Sequence, residues 1–350
     1  MQIFYIIFSC LVILSVIIPF IRHPHWTIRV FDYPRFQKLV LVIFACILFI
    51  FVDKTSLTIS LFTCLIFTVI YLFWVIIPYS PFGRKMIDKV DLKPNEKPLD
   101  LFVYNVLQDN VKYQKLVDLI KKRNPDIVFL LETNKEWMEQ IREATNDFSY
   151  KIEVPLENTY GLLFYSKLPI THQEINYLIS TEIPSIIADI EYNNQIVRLY
   201  GLHPTPPVPQ ENEESAERDA EILMIGKQAK AYRKACIVFG DLNDVAWSRT
   251  TRLFLKTSQM LDPRRGRGMF NTFHAHHWFL RWPLDHYFLS SQFRLIEMIR
   301  EPNIGSDHFP ISIKVVLRND DDSGEMKLDQ EEKIEVEEKI EDGMEKGNAN

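Results

Sequence analysis

Ile3 to Ile21 is a run of 19 residues without a charge, and Leu57 to Ile77 is a second run of 21. A helix needs about 20 apolar residues to cross the hydrocarbon core of a bilayer, so each run is long enough to span one. Soluble cores rarely contain uninterrupted apolar stretches of this length. Leu39 to Val52 is a shorter run of 14 residues, and Asp53-Lys54-Thr55-Ser56 separates it from the next as the turn of a helical hairpin would. The pattern predicts a transmembrane region over residues 1–80 with three spans, or two plus a re-entrant segment. A cleaved signal peptide fits the first run less well, because it lacks a basic start and a small-residue cleavage site and more apolar segments follow.

Lys and Arg set an expected orientation. The loop after the first run carries Arg22, Arg29, Arg35 and Lys38, the hairpin turn only Lys54, and the segment after the last run Arg84, Lys85 and Lys89. The positive-inside rule then places a multi-pass chain with its N-terminus outside and its large domain on the cytoplasmic side. A missed span would invert that orientation.

The remainder changes character twice. Residues 81–98 hold Pro81, Pro94 and Pro98 among charges and read as a linker. Residues 99–318 have the composition of a soluble domain, with enough chain for one sizeable core. From Asp320 to Asn350 there are 13 acids and 4 Lys, a net −9; the whole chain carries −6, so the rest is −6 + 9 = +3. This near-neutral remainder lacks the basic signature of a protein that tracks nucleic acid by charge alone. The tail over 319–350 has few apolar residues to offset the cost of ordering, so disorder or a fluctuating helix is expected. Cys10, Cys46 and Cys64 fall in the apolar runs and Cys236 begins a predicted buried strand; no spacing suggests a disulfide framework or a zinc site.

Within the domain, short strand-like runs alternate with a few helical ones. Strands are predicted at Leu99–Leu107, Asp126–Leu131, Ser149–Val154, Gly161–Ser166, Ser185–Tyr192, Gln195–Leu202, Ala235–Phe239, Leu284–Leu289, Arg294–Met298 and Phe309–Leu317. Helical periodicity runs over Tyr113–Arg123, Thr133–Ala144, Glu213–Arg233 and Ser248–Lys256. An α/β domain with two sheets face to face and helices outside would bury both kinds of element.

Polar residues break this pattern at strand ends. Asn105 interrupts the first strand, Glu132 ends the second, His203 follows Leu202, Asp241 and Asn243 follow Phe239, Asp285 follows Leu284, and Asp307-His308 precedes Phe309. One carboxylate at a strand end is usually a solvated terminus. Eight such residues attached to strand-like runs suggest one shared pocket. Hard oxygen ligands suit Mg²⁺, and a phosphate ester needs an activated water and neutralisation of developing charge. Acids, amides and histidines together meet those needs.

The order Asn105, Glu132, His203, Asp241-x-Asn243, Asp285, Asp307-His308 resembles the endonuclease/exonuclease/phosphatase superfamily, whose members include DNase I-like nucleases and neutral sphingomyelinases. Tyr160–Ser166 leading into Ser166-Lys167-Leu168-Pro169, and Thr272-Phe273 ahead of Leu284-Asp285, fit further segments of it. The resemblance implies a four-layer α/β/β/α sandwich with the site at one edge of the paired sheets. It implies Mg²⁺ or Mn²⁺ held by Glu132 with Asn105 and Asp307. It implies that Asp241 orients or deprotonates the attacking water and that Asn243 holds a phosphate oxygen or that water. His308, held by Asp285, would act as general base or transition-state donor, and His203 would stabilise the pentacovalent phosphorus. How Asp241 and the Asp285–His308 pair divide the work stays open. His203 stands in a Gly-Leu-His-Pro context that departs from the apurinic-endonuclease type.

Two more features carry expectations. The Arg264-Arg265-Gly266-Arg267 loop can supply Arg264 and Arg265 to grip a phosphate, or can be a solvated loop. His274, His276 and His277 lie close to Trp278 and Trp282; zinc at this cluster would lack cysteine partners. The expected function is a membrane-anchored, metal-dependent phosphoesterase acting on a phosphodiester in the manner of a nuclease. A lipid or inositol phosphate phosphoesterase is the alternative, and a non-catalytic membrane adaptor on the same fold a further one. The expected partners are the phosphate-ester substrate, nucleic acid or a lipid or sugar phosphate, and the bilayer, with no protein partner evident.

Overall fold

A computed structural model describes residues 1–318 and 325–349. The N-terminal part is helical: α1 (Gln2–Ile17), a single turn α2 (Trp26–Arg29), α3 (Arg35–Leu48) and α4 (Ser56–Ile76). Thr55 caps α4 by accepting from the Thr58 main-chain N–H. The two helical stretches Gln2–Phe20 and Ser56–Tyr79 are long and apolar enough to cross a membrane. The third run fits either sequence expectation, a third span that is broken or a re-entrant segment. It pairs with the α2 turn across a 72° bend as Trp26–Asp32 plus Arg35–Phe51. Tyr5, Val42, Leu65 and Leu72 form the seam between the helices, while Ile3, Phe67 and Trp74 face outward.

The rest is built as β1 (Leu99–Asn105), α5 (Tyr113–Arg123), β2 (Ile127–Leu131), α6 (Lys135–Gln140), β3 (Tyr150–Val154), β4 (Leu162–Ser166), β5 (Ile170–Asn176), β6 (Ser185–Tyr192), β7 (Gln195–Leu202), α7 (Ala216–Tyr232), β8 (Cys236–Asp241), α8 (Arg249–Ser258), β9 (Asp285–Leu289), β10 (Phe293–Arg300), β11 (Ile311–Leu317) and α9 (Gln330–Ala349). One sheet has six strands in the order β10-β11-β1-β2-β4-β3, the other five in the order β5-β6-β7-β8-β9.

Strand alternation explains the layers. In β1, Leu101 and Val103 point into the space between the sheets with Phe129, Phe239 and Tyr287, whereas Phe102 and Tyr104 point outward onto α5 and α6. Phe129 and Phe239 meet edge to face across the gap at 5.1 Å. The outer face of the second sheet packs Tyr200, Val238 and Phe288 against α7 and α8. The result is the four-layer α/β/β/α sandwich, preceded by apolar helices.

Three segments depart from the sequence reading. β5 was not anticipated: it is an exposed edge strand of polar residues, without the apolar signal that marks the others. The linker is docked rather than free. Met86 and Ile87 are buried, and Val90 N–H donates to Leu295 O at 2.9 Å while Leu295 N–H donates to Asp88 O at 3.0 Å. The acidic tail forms α9 and packs on α7, with Val336 and Ile340 buried; ion pairs to Arg249 and Lys256 hold Glu332. Residues 319–324 and 350 of that tail lie outside the described residues.

Candidate active site

The topology brings the strand-end polar residues together. β1 and β2 are parallel with Asn105 opposite Leu131, so Asn105 and Glu132 leave the sheet at the same edge. β7 and β8 are parallel with Leu202 opposite Gly240, which places His203 and Asp241 at one edge of the other sheet. Asp241 faces Asp285 across the antiparallel β8–β9 pair. The loop carrying Asp307 and His308 enters β11, which runs antiparallel to β1.

The backbone is specialised where the chain turns into the site. Glu132 has φ 57° and Asn243 φ 51°, both in the left-handed region that non-glycine residues rarely occupy. At Gly240, φ is 134°, and a Cβ would lie 2.0 Å from Leu202 O, so only glycine lets β8 approach β7 there.

His308 organises the centre. Its Nδ1 bonds Asp285 Oδ2 at 2.8 Å, its Nε2 faces Asp241 Oδ2 at 3.5 Å, and its ring lies 5.0 Å from that of Phe273. Burial works against a charged ring, but Asp285, Asp241 and Asp307 outweigh it and lift His308 to about 10. The ring is therefore an imidazolium at neutral pH. Thr272 Oγ1 accepts from the Asp285 N–H, and Ser306 Oγ accepts from the His308 N–H, fixing both main chains.

Asn105 Nδ2 donates to Glu132 Oε1 at 2.6 Å and to Asp241 Oδ2 at 3.0 Å. Its Oδ1 accepts from Leu107 N–H at 3.1 Å. The amide thus holds two carboxylates in place and turns its oxygen away from them, so the expected use of Asn105 as an oxygen ligand does not match its orientation. Burial, with Asp241 and Asp307 nearby, pushes Glu132 up to about 7 against the pull of Asn105 and His308. Crowded carboxylates are a donor set that fits a hard divalent cation. Asp241, Asp285 and His308 also offer ligand atoms within 4.8 Å of one another, but Asp285 and His308 are bonded to each other.

Asn243 N–H donates to Asp241 Oδ1 at 3.0 Å, and its side-chain amide donates to Pro204 O at 2.9 Å. The Pro204 bond aligns the Asn243 loop with His203. His203 is buried beside Tyr160, its Nδ1 has no hydrogen-bond partner, and burial lowers it to about 4, so it is neutral. Glu132, His203, Asp241, Asn243, Asp307 and His308 all line a single cleft of about 540 Å³.

Arg264 and Arg265 are the exceptions. Arg264 is fully buried, with its guanidinium on Asp262 at 2.9 Å and beside His286 Nδ1 at 2.6 Å. Arg265 lies over the ring of Tyr79 at 5.5 Å. Neither lines the cleft, because internal pairing has claimed one guanidinium and the helix-end aromatic the other. Among the described residues, no lysine or arginine lines it. Half-buried His274 lies tilted or edge-on to the exposed rings of His276 and His277, and the three do not converge as ligands in the described residues.

Sequence reasoning missed the cleft's other wall. Trp26, Val30, Tyr33 and Pro34, from the segment between the first two apolar runs, face the catalytic residues. Tyr33 packs edge to face on Trp282 at 5.7 Å. The aromatic content of His25-Trp26…Phe31-Asp32-Tyr33 was the available signal, but nothing local tells which domain such residues meet.

A search of the curated proteins gives no match. Among solved structures, D. rerio TDP2 complexed with a single-strand DNA product superposes with TM-score 0.52 at 16% identity, covering 63% of this chain and 99% of that one. Endonuclease/exonuclease/phosphatase proteins from Bacteroides vulgatus (TM-score 0.51, 16% identity, 64% and 100% covered) and Bacteroides thetaiotaomicron (0.51, 17%, 64% and 99%) share the fold. At these identities the likeness shows architecture alone. Residues 102–308 match the Endonuclease/Exonuclease/phosphatase family, a span that runs from β1 to His308 and takes in every strand-end polar residue described above. The chain therefore belongs to the Endonuclease/Exonuclease/phosphatase family, a superfamily of phosphoesterase hydrolases.

Proposed function

We propose that this chain is a membrane-anchored, divalent-metal-dependent phosphodiesterase whose substrate is an amphiphilic phosphodiester met at the bilayer surface. The observation that carries the substrate class is the cleft itself: a single constellation of acids and histidines, apolar walls from Trp26, Val30 and Trp282, and no lysine or arginine among the described lining residues. A polyanion such as DNA is held mainly by cationic contacts to its phosphates. This cleft suits one phosphate flanked by apolar groups. The DNA complex of D. rerio TDP2 supports phosphodiester chemistry on the fold; the wall residues argue for a different substrate.

Glu132 and Asp307 would hold Mg²⁺ or Mn²⁺, which when bound supplies Lewis-acid polarisation of a phosphoryl oxygen. Asp241 is buried and restrained by Asn105 and by the Asn243 N–H, which suits it to accept the proton of the attacking water. His308, charged and backed by Asp285, presents Nε2–H as a donor to the oxygen on which negative charge develops. His203, neutral and with one ring nitrogen unpartnered, is a further donor to the phosphoryl group. Gln37 donates to Phe279 O, so the exposed Trp278–Phe279 loop sits beside the start of α3, and substrate would enter from the membrane side.

The test uses the full chain in nanodiscs with Mg²⁺. Bis-p-nitrophenyl phosphate reports generic diesterase activity, and phosphatidylcholine vesicles and plasmid DNA compete as natural chemistries. Release of headgroup from vesicles with little DNA nicking is expected. Nicking that exceeds lipid turnover and falls steeply with salt would restore the nuclease reading, and no turnover of any probe with Mg²⁺ or Mn²⁺ would favour the adaptor.

A further inference from the structure

A second cavity, of about 440 Å³, lies where the apolar helices meet the catalytic domain. Phe20 and Arg22 after α1, Arg35 at the start of α3, Tyr71 on α4, and Arg249 and Arg252 on α8 form its walls. It is separate from the catalytic cleft. The segment 29–33 divides the two, with Arg29 and Asp32 turned to this cavity and Val30 and Tyr33 to the cleft.

Among the described residues, six arginine and lysine side chains line it against four carboxylates. Asp32 accepts from Arg35 at 2.6 Å and from Arg29 at 3.2 Å. Glu335, from α9, accepts from Arg249 at 2.6 Å and lies 3.5 Å from Arg22. These two carboxylates are then engaged; Glu338 and Asp342 of α9 also line the cavity, with Asp342 3.4 Å from Lys346. Arg35 is 4% exposed, yet its Nε and Nη1 have no hydrogen-bond partner, and the buried Nε of Arg252 has none either. Burial, with Arg249 adjacent, lowers Arg252 from the ordinary guanidinium range. A buried guanidinium N–H without an acceptor is costly, and its planar fork matches the oxygens of a phosphate.

The rim is apolar. The rings of Phe20 and Tyr71 meet at 5.2 Å, and Ile17, Phe67 and Trp74 are exposed along the neighbouring helices. An anion here would sit at the end of α1, beside the exposed apolar faces of α1 and α4.

We propose that this cavity is a binding site for a phosphate group, held by Arg35 and Arg252 and carried either by an anionic phospholipid or by free phosphate. The site stands apart from the catalytic reading and survives its failure.

Thermal unfolding of the full chain tests it in three settings: phosphatidylcholine nanodiscs, the same nanodiscs with phosphatidylglycerol, and phosphatidylcholine nanodiscs with inorganic phosphate against chloride at matched ionic strength. Ligand that binds only the folded chain raises its Tm. A rise of several degrees with phosphatidylglycerol assigns the lipid source; a rise with inorganic phosphate assigns the free anion. Arg252→Gln should weaken the effect about tenfold in ligand concentration, and Arg252→Lys should keep part of it. Equal Tm in all three settings, or an undiminished rise in Arg252→Gln, overturns the proposal. If Arg252→Gln does not melt cooperatively, Arg252→Lys is read in its place, and an undiminished rise there likewise overturns the proposal.

Discussion

The Tyr33 hydroxyl donates to the main-chain oxygen of Asn243 at 3.0 Å. A residue from the segment between two apolar helices thereby restrains the loop that positions Asp241. Arg218 Nη1 donates to the same oxygen at 2.7 Å, and its Nη2 pairs with Asp219 at 2.7 Å. The two donors differ in what their loss leaves behind. Tyr33→Phe removes the bond to Asn243 and a longer one that the hydroxyl accepts from Arg218 Nη1 at 3.4 Å, and keeps the ring on Trp282, so it should cost about 1 kcal/mol and lower kcat/KM a few-fold. Arg218→Met leaves the buried Asp219 and Asp244 with reduced compensation and should cost roughly 3–5 kcal/mol. Denaturant unfolding of both variants, with turnover of bis-p-nitrophenyl phosphate, checks the contrast; equal losses would mean the Asn243 oxygen is not the shared anchor.

His308 gives the reaction a pH signature. With its charged form favoured up to about 10, activity that needs the imidazolium should hold through neutral pH and fall on the alkaline side. Asp285→Asn removes the largest of the charges that favour the ring's proton, so the alkaline limb of kcat/KM should move to lower pH. His308→Ala should cut turnover by about 10²–10⁴ with cation affinity retained, whereas Glu132→Gln should lose both. A limb that stays in place in Asp285→Asn would remove His308 from the acid role.

Much of the site was legible in the sequence because each functional group ends an apolar run: Glu132 after Leu131, His203 after Leu202, Asp241 after Gly240. Strand ends that leave parallel neighbours at one edge must converge, so pattern and place go together. What stayed hidden depends on partners distant in the chain. Arg264 reads as a phosphate-gripping arginine until Asp262 and His286 are seen to enclose it. Asn105 reads as an oxygen ligand until Leu107 takes its carbonyl. The role of residues 26–34 could not be read, since an aromatic loop between two membrane-type helices gives no sign of which surface it covers. In the tail, net charge masked a seam: Val336, Ile340, Gly343 and Gly347 recur at helical spacing on one face.

Two buried groups should shape stability against pH in opposite directions. His203 is lowered to about 4 in the folded chain, below its ordinary value, so stability is full above the ordinary histidine range and is lost as pH falls towards 4. Glu221, buried on α7 with Oε1 unpartnered, is raised to about 8 by burial and by Glu217. Its contribution is full below the ordinary carboxylate range and is lost as pH rises through 8, a decline on the order of a few kcal/mol. Glu221→Gln should flatten that decline. Urea midpoints at about pH 5 and about pH 8 for both proteins decide it; parallel curves would mean Glu221 ionises without penalty in the fold.

Gly343 decides whether α9 is docked in solution. A Cβ there would lie 2.3 Å from the Cβ of Ala220 and 2.5 Å from Ala216 O on α7. In a free helix, Gly→Ala is favourable by about 1 kcal/mol, because glycine loses more backbone freedom on folding. In the docked helix the added methyl meets main chain, which cannot swing aside, so Gly343→Ala should push α9 off α7. The substitution therefore has opposite signs in the two cases. If α9 is docked, Gly343→Ala lowers Tm and speeds hydrogen exchange along both Gln330–Ala349 and the facing side of α7. It also weakens the hold of Glu332 and Glu335 on Arg249. A raised Tm with slower exchange in α9 alone would show a helix that forms without α7 and return the tail to the fluctuating state its charge suggests.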